Sequence, residues 1–151
     1  MAPPQQRRER PGDPPRSAVR TLGHDRGQIE ALCETIIAQM LAHGLSETAT
    51  FAFRLAWEEA VSNAIHHGNR DRPDGVIEVA HLVNDAGASV RITDQGDGFD
   101  PTAVVDPTLD ENLECPTGRG LLLMRAYMTR VEFEPPGNTV RLIYERPPSS
   151  R

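Results

Sequence analysis

The chain has 151 residues, a formal net charge of −6, and 16 basic residues that are all arginine. That length suits one domain with one core, and the absence of lysine excludes a Walker-type phosphate loop, a conventional protein-kinase fold and Schiff-base chemistry. The acidic balance argues against a nucleic-acid surface, and without lysine any phosphate chemistry must rest on glycine backbone, arginine and metal.

Residues 1–16, "MAPPQQRRERPGDPPR", hold five prolines and four arginines and little to bury, so they read as a disordered tail. They lack the apolar core of a signal peptide, and no later run is long enough to span a membrane. The expectation is a cytoplasmic protein with no membrane partner. Residues 147–151 read as a second frayed end, leaving 17–146 as the folded domain.

"SAVRTLG" reads as a short first strand. A helix follows from an Asp25 cap, with Ile29, Leu32, Cys33, Ile36, Ile37, Met40 and Leu41 at helical spacing and a stop at Gly44. Cys33 on that apolar face and Cys115 in a polar loop read as unpaired thiols of a reducing compartment. A second helix begins at Ser46 and runs to Gly68, apolar over much of its circumference and so packed on more than one side.

After the loop "NRDRPDG", "VIEVAHLV" and "ASVRIT" alternate with period two around the turn "NDAG", as a β-hairpin does. "DQGDGFDP" ends that strand, and a long acidic loop follows it. "GRGLLLMRAYM" reads as a short helix, and "RVEFEPP" and "TVRLIYE" close the domain as a hairpin about "GN". This order predicts an α+β, two-layer sandwich, with a mixed, mostly antiparallel sheet and helices on one face.

Three stretches carry candidate chemistry. In "WEEAVSNAIHHGN", Glu59, Asn63 and His66 fall on one helical face, with His67 near its edge and Glu58 turned to solvent. This is either a solvated polar face or the border of a cleft. In a cleft the Asn63 amide oxygen suits Mg²⁺ and Glu59 suits a general base. In "DQGDGFD", Asp94 continues the inward register of Ala88, Val90 and Ile92, so a buried charge needs donors such as an adenine amino group. Gly96 and Gly98 permit close approach there. An acidic β-turn is the other reading; an EF-hand is excluded because its later glutamate and flanking helices do not fit. In "TGRGLLLM", Gly118 and Gly120 flank Arg119 before a helix, which is either a glycine-rich helix start or an anion site.

Taken in order, the three stretches resemble the GHKL (Bergerat-fold) ATP-binding superfamily, and within it the small bacterial anti-sigma-factor serine/threonine kinases. "EAVSNAIHHGN" is similar to that family's N-box, "DQGDGFD" to its first glycine box and "GRGLLLM" to its second. The resemblance implies ATP and Mg²⁺ as cofactors, with Asn63 as metal ligand and Glu59 as the catalytic base. It implies Asp94 as acceptor of the adenine amino group, Gly96 and Gly98 shaping the base pocket, and Gly118, Arg119 and Gly120 holding phosphates. Residues from about 101 to 117 would form the ATP lid. Family members often carry Gly-Thr in the closing hairpin, where this chain has Asn138 followed by Thr139. The implied protein substrate is a STAS-type anti-sigma antagonist, with a sigma factor as a second partner and homodimerisation frequent in the family. The helix pair that carries the phosphorylated histidine of sensor kinases is not among these elements. His66 and His67 therefore read as helix-end packing or water-mediated contacts near the metal.

Overall fold

The computed structural model describes residues 19–98 and 118–148; of residues 118 and 119 it describes the backbone alone. The 1–16 tail lies outside the described residues, as do the region read as a lid and most of the C-terminal end.

The first strand, β1 (Arg20–Leu22), leads into helix α1 (Arg26–Ala42), which opens as the sequence predicts. The Asp25 side chain accepts the Gln28 N–H at 3.0 Å, satisfying one of the donors a helix start leaves unpaired. Helix α2 (Glu47–Asn63) is capped in the same way, its Ala49 N–H donating to Ser46 Oγ at 3.0 Å. The regular α-helix stops at Asn63, and a π-helical turn (Ala64–Gly68) carries the chain on to the residue predicted as its end.

Strands β2 (Ile77–Asn84) and β3 (Gly87–Thr93) pair across a two-residue turn. Gly87 has φ +149, and a Cβ on it would stand 1.9 Å from the Tyr144 carbonyl oxygen, so glycine is required there. Helix α3 (Gly118–Tyr127) precedes β4 (Arg130–Glu134) and β5 (Thr139–Glu145). Among the described residues the sheet order is β1-β2-β3-β5-β4 and all four pairings are antiparallel, where a mixed, mostly antiparallel sheet was expected. No pairing needs a parallel crossover, because α3 returns the chain to the sheet edge and β5 then inserts beside β3.

Ala88, Val90 and Ile92 are buried on the inner face, as their alternation predicts. They meet Leu32, Ile36 and Met40 of α1, Phe53 and Trp57 of α2 and Met124 of α3 in one core. Each large apolar side chain buried in this way contributes about 1.5–3 kcal/mol. Helix α2 contacts both α1 and α3, which explains its apolar circumference. Among the described residues no helix is long and apolar enough to cross a membrane.

Candidate functional site

The π-helical turn carries Ala64, His67 and Gly68 to the wall of a cavity. The Asn69 N–H donates to the Ala64 carbonyl at 2.9 Å, an i→i+5 bond that widens the last turn. Such widened turns recur at functional sites. His67 joins Asn63 on the wall of that cavity, at the helical spacing that Ala60, Asn63, Ala64 and His67 share. His66 is exposed and does not line it. Of the three residues expected on one helical face, Asn63 lines the cavity and Glu59 and His66 do not. Glu59 is half-buried on α2, one turn before Asn63, and the wall beside it is formed by Ala60. Glu58 is exposed, as expected.

Asp94, where β3 ends, lines the same cavity. Its carboxylate lies against the end of α2: a Cβ on Gly68 would stand 2.1 Å from Asp94 Cγ. The Gly96 N–H donates to Asp94 Oδ1 at 2.7 Å. Gly96 is equally confined, with an added Cβ 2.4 Å from the Gly68 carbonyl oxygen. Gly98 has φ +86 and touches the closing hairpin, where a Cβ would meet the Pro136 carbonyl oxygen at 2.1 Å. Burial raises the Asp94 pKa above the usual carboxylate value, partly offset by the Gly96 N–H and the positive charge of Arg72.

Asn138 clamps this corner through its backbone and side chain. Its carbonyl accepts the Asp94 N–H at 2.9 Å, and its amide nitrogen donates to the Asp94 carbonyl at 3.0 Å. Thr139 turns away from the cavity and pairs with Thr93 through their hydroxyls at 2.9 Å.

The cavity holds about 320 Å³, within the range of small-molecule sites. Ile92, Met124, Phe133 and Val140 give it an apolar lining suited to a flat aromatic base, and Asn63, His67, Asp94, Arg70 and Arg72 surround that lining with polar groups. Helix α3 begins at Gly118, as predicted, and Gly120 is buried. The Arg119 side chain lies outside the described residues. The residues present fit a nucleotide: a partly desolvated carboxylate acceptor lines a cavity with apolar walls, and Gly68 and Gly96 let the backbone pack closely around that carboxylate.

Four contributions escaped sequence reasoning. Gly68 was read only as a helix stop, and Asn69 carried no role although it is 1% exposed. Arg70 and Arg72 were read as loop residues but line the cavity. The one available signal was the run of polar residues directly after an otherwise apolar helix.

Residues 24–144 match the histidine kinase-like ATPase domain. The chain belongs to that family. Membership implies ATP binding and places this histidine kinase-like ATPase in the GHKL superfamily, near the anti-sigma kinases. Curated relatives include an anti-sigma F factor of Clostridium botulinum, 36% identical over 78 residues, covering 50% of this chain and 54% of the relative. An anti-sigma F factor of Clostridium beijerinckii is 27% identical over 101 residues, covering 62% and 67%. The serine/threonine-protein kinase BtrW of Bordetella bronchiseptica is 29% identical over 86 residues, covering 56% and 61%. The chain thus matches between 54% and 67% of the length of these relatives.

Proposed function

We propose that this protein is a Mg-ATP-dependent serine/threonine kinase acting on a partner protein, a STAS-type anti-sigma antagonist. The observation that carries the reading is the convergence of Asn63 and Asp94 on one cavity with the Gly68–Gly96 contact beneath it. The names of its relatives, anti-sigma F factor and serine/threonine-protein kinase, support the direction.

Bound Mg-ATP would supply a transferable γ-phosphoryl group, with ADP as the leaving group. Asp94 accepts the adenine amino group, and its neighbours Gly96 and Gly98 let the backbone close on the base. The Asn63 amide oxygen fits Mg²⁺, which takes few protein oxygens and keeps water and phosphate in its shell. The N–H groups at the start of α3, around Gly118, Arg119 and Gly120, would hold the phosphates. Glu59 takes the proton lost by the partner's serine or threonine hydroxyl. Positioning and electrostatics carry most of such a transfer.

The test uses radiolabelled ATP and a candidate antagonist, with the wild type beside Glu59→Ala. Transfer by the wild type and a fall of about 10²–10⁴-fold in the variant, at unchanged ATP affinity, is expected. Equal transfer by both proteins removes Glu59 as the base.

A second reading is a nucleotide-gated module that sequesters a sigma factor without turnover. The half-buried Glu59, outside the cavity wall, favours it. ATP binding with a stoichiometric partner and no transfer would select this reading.

A further inference from the structure

Asn69 belongs to neither a regular helix nor a strand, yet its buried side chain joins three parts of the fold. Its amide oxygen accepts the Gln95 N–H at 2.8 Å, and its amide nitrogen donates to the Val76 carbonyl at 3.0 Å. These two partners fix the orientation of the amide, because a backbone N–H can only donate and a carbonyl can only accept. The second amide proton is left for His24 Nε2, 3.1 Å away. That nitrogen must therefore accept, which requires a neutral imidazole with its proton on Nδ1.

Gln95 stands between Asp94 and Gly96, and its own side chain accepts the Val76 N–H at 2.9 Å. The exit of β3 is thus tied to the loop from both directions. Gly75 makes room for the arrangement, since a Cβ there would stand 2.9 Å from the Arg72 carbonyl oxygen and 3.1 Å from Asn69 Nδ2. Neither Asn69 nor His24 lines the cavity.

We infer that Asn69 and His24 are positioning residues for the nucleotide pocket: neutral His24 orients Asn69, and Asn69 holds the Gln95 backbone so that Asp94 and Gly96 keep their places. This rests on the nucleotide reading of the cavity. The charged and titratable residues on the elements that meet there are Asp25 and Arg26 beside His24, Arg70, Asp71, Arg72 and Asp74 in the loop, and Asp94 and Asp97 after β3.

The experiment pairs titration of a fluorescent ATP analogue with long-range ¹H–¹⁵N spectra of the imidazoles, the His24 signals being assigned by their loss in His24→Leu. Wild-type His24 is expected as the Nδ1–H tautomer, changing in Asn69→Ala to the Nε2–H form common in free histidine. Asn69→Ala should bind the analogue about tenfold more weakly, and His24→Leu about threefold, each the loss of one or two hydrogen bonds. Asn69→Asp keeps an acceptor for Gln95 but sets a carboxylate oxygen against Nε2, so that nitrogen should become a donor and the Nδ1–H tautomer signature should be lost. If Asn69→Ala fails to fold, His24→Leu carries the affinity test. Wild-type affinity in a folded Asn69→Ala or in His24→Leu overturns the positioning role, and an Nε2–H tautomer in the wild type overturns the His24 role. A wild type that binds no analogue overturns the nucleotide reading itself, an outcome distinct from both.

Discussion

Gly68 and Asp94 are packed so closely that no side chain fits between them: a Cβ on Gly68 would lie 2.1 Å from Asp94 Cγ and 2.2 Å from Asp94 Oδ2. The last residue of the π-helical turn and the first residue after β3 thereby share one space. The carboxylate cannot yield far, because Gly96 holds its Oδ1 and Asn138 holds its backbone on both sides.

Gly68→Ala should therefore cost both folding and binding. Overpacking of this kind costs about 1–3 kcal/mol, read as a lower thermal midpoint. The displaced carboxylate should weaken ATP-analogue binding by at least about tenfold, measured by fluorescence titration. A variant that melts lower but binds as tightly as the wild type would show that Asp94 does not contact the base.

Asp94→Asn should separate stability from binding. Burial raises the folded-state pKa of Asp94 above its unfolded value. The folded state then holds the proton more tightly, so this group's contribution to stability is fully present below the unfolded pKa, near 3.9, and lost as pH rises through the folded value. At pH 7 the ionised carboxylate is a cost that the amide avoids, while the amide oxygen still accepts the Gly96 N–H. The variant's unliganded thermal midpoint should equal or exceed that of the wild type at pH 7, and the gap should narrow as pH falls toward 4. Binding of the analogue should fall by about 10–100-fold, since a hydrogen bond to a charged acceptor is lost. A clear loss of stability at pH 7 would contradict the burial argument.

Cys33 should be chemically silent in the folded protein. It is fully buried in the core, and desolvation pushes its thiol up to about 12. A thiol shifted so far above an ordinary value holds roughly a thousandfold less thiolate near neutral pH, and the thiolate is the reactive form. In a Cys115→Ser background, labelling of Cys33 by a thiol reagent at pH 8 should proceed only at the rate of opening of the core and accelerate as denaturant is added. Rapid labelling without denaturant would place Cys33 nearer the surface.

Much of the fold was legible because its signals are local. Asp25 and Ser46 cap the helices from positions visible in the sequence, and the alternation of Ala88, Val90 and Ile92 aims Asp94 inward. The π-helical turn was not legible, since its extra residue is set by where Asn69 finds partners on His24, Val76 and Gln95. His67, expected near the edge of the polar face, lines the cavity wall, and His66 does not. The need for glycine at position 68 was hidden for the same reason, because the atom that excludes a Cβ belongs to a strand end distant in sequence. Asn138, a departure from the Gly-Thr that family members often carry, is explained only by its two bonds to the Asp94 backbone.

Asn63 offers the sharpest test of how the cavity treats a metal. Among the described residues no group of three or more His, Cys, Asp or Glu side chains is placed to hold an ion. An ion that enters with a nucleotide needs less, since Mg²⁺ keeps several waters and takes phosphate oxygens along with one or two protein ligands. The Asn63 amide oxygen is suited to be such a ligand, so its removal should leave metal-free nucleotide binding intact. In Asn63→Ala, analogue affinity in EDTA should match the wild type within about twofold, while the tightening produced by added magnesium should disappear. Asn63→Asp keeps an oxygen at the position and should retain a magnesium response. Full magnesium tightening in Asn63→Ala would move the metal to another ligand, and equal loss with and without magnesium would make Asn63 a contact to the nucleotide itself.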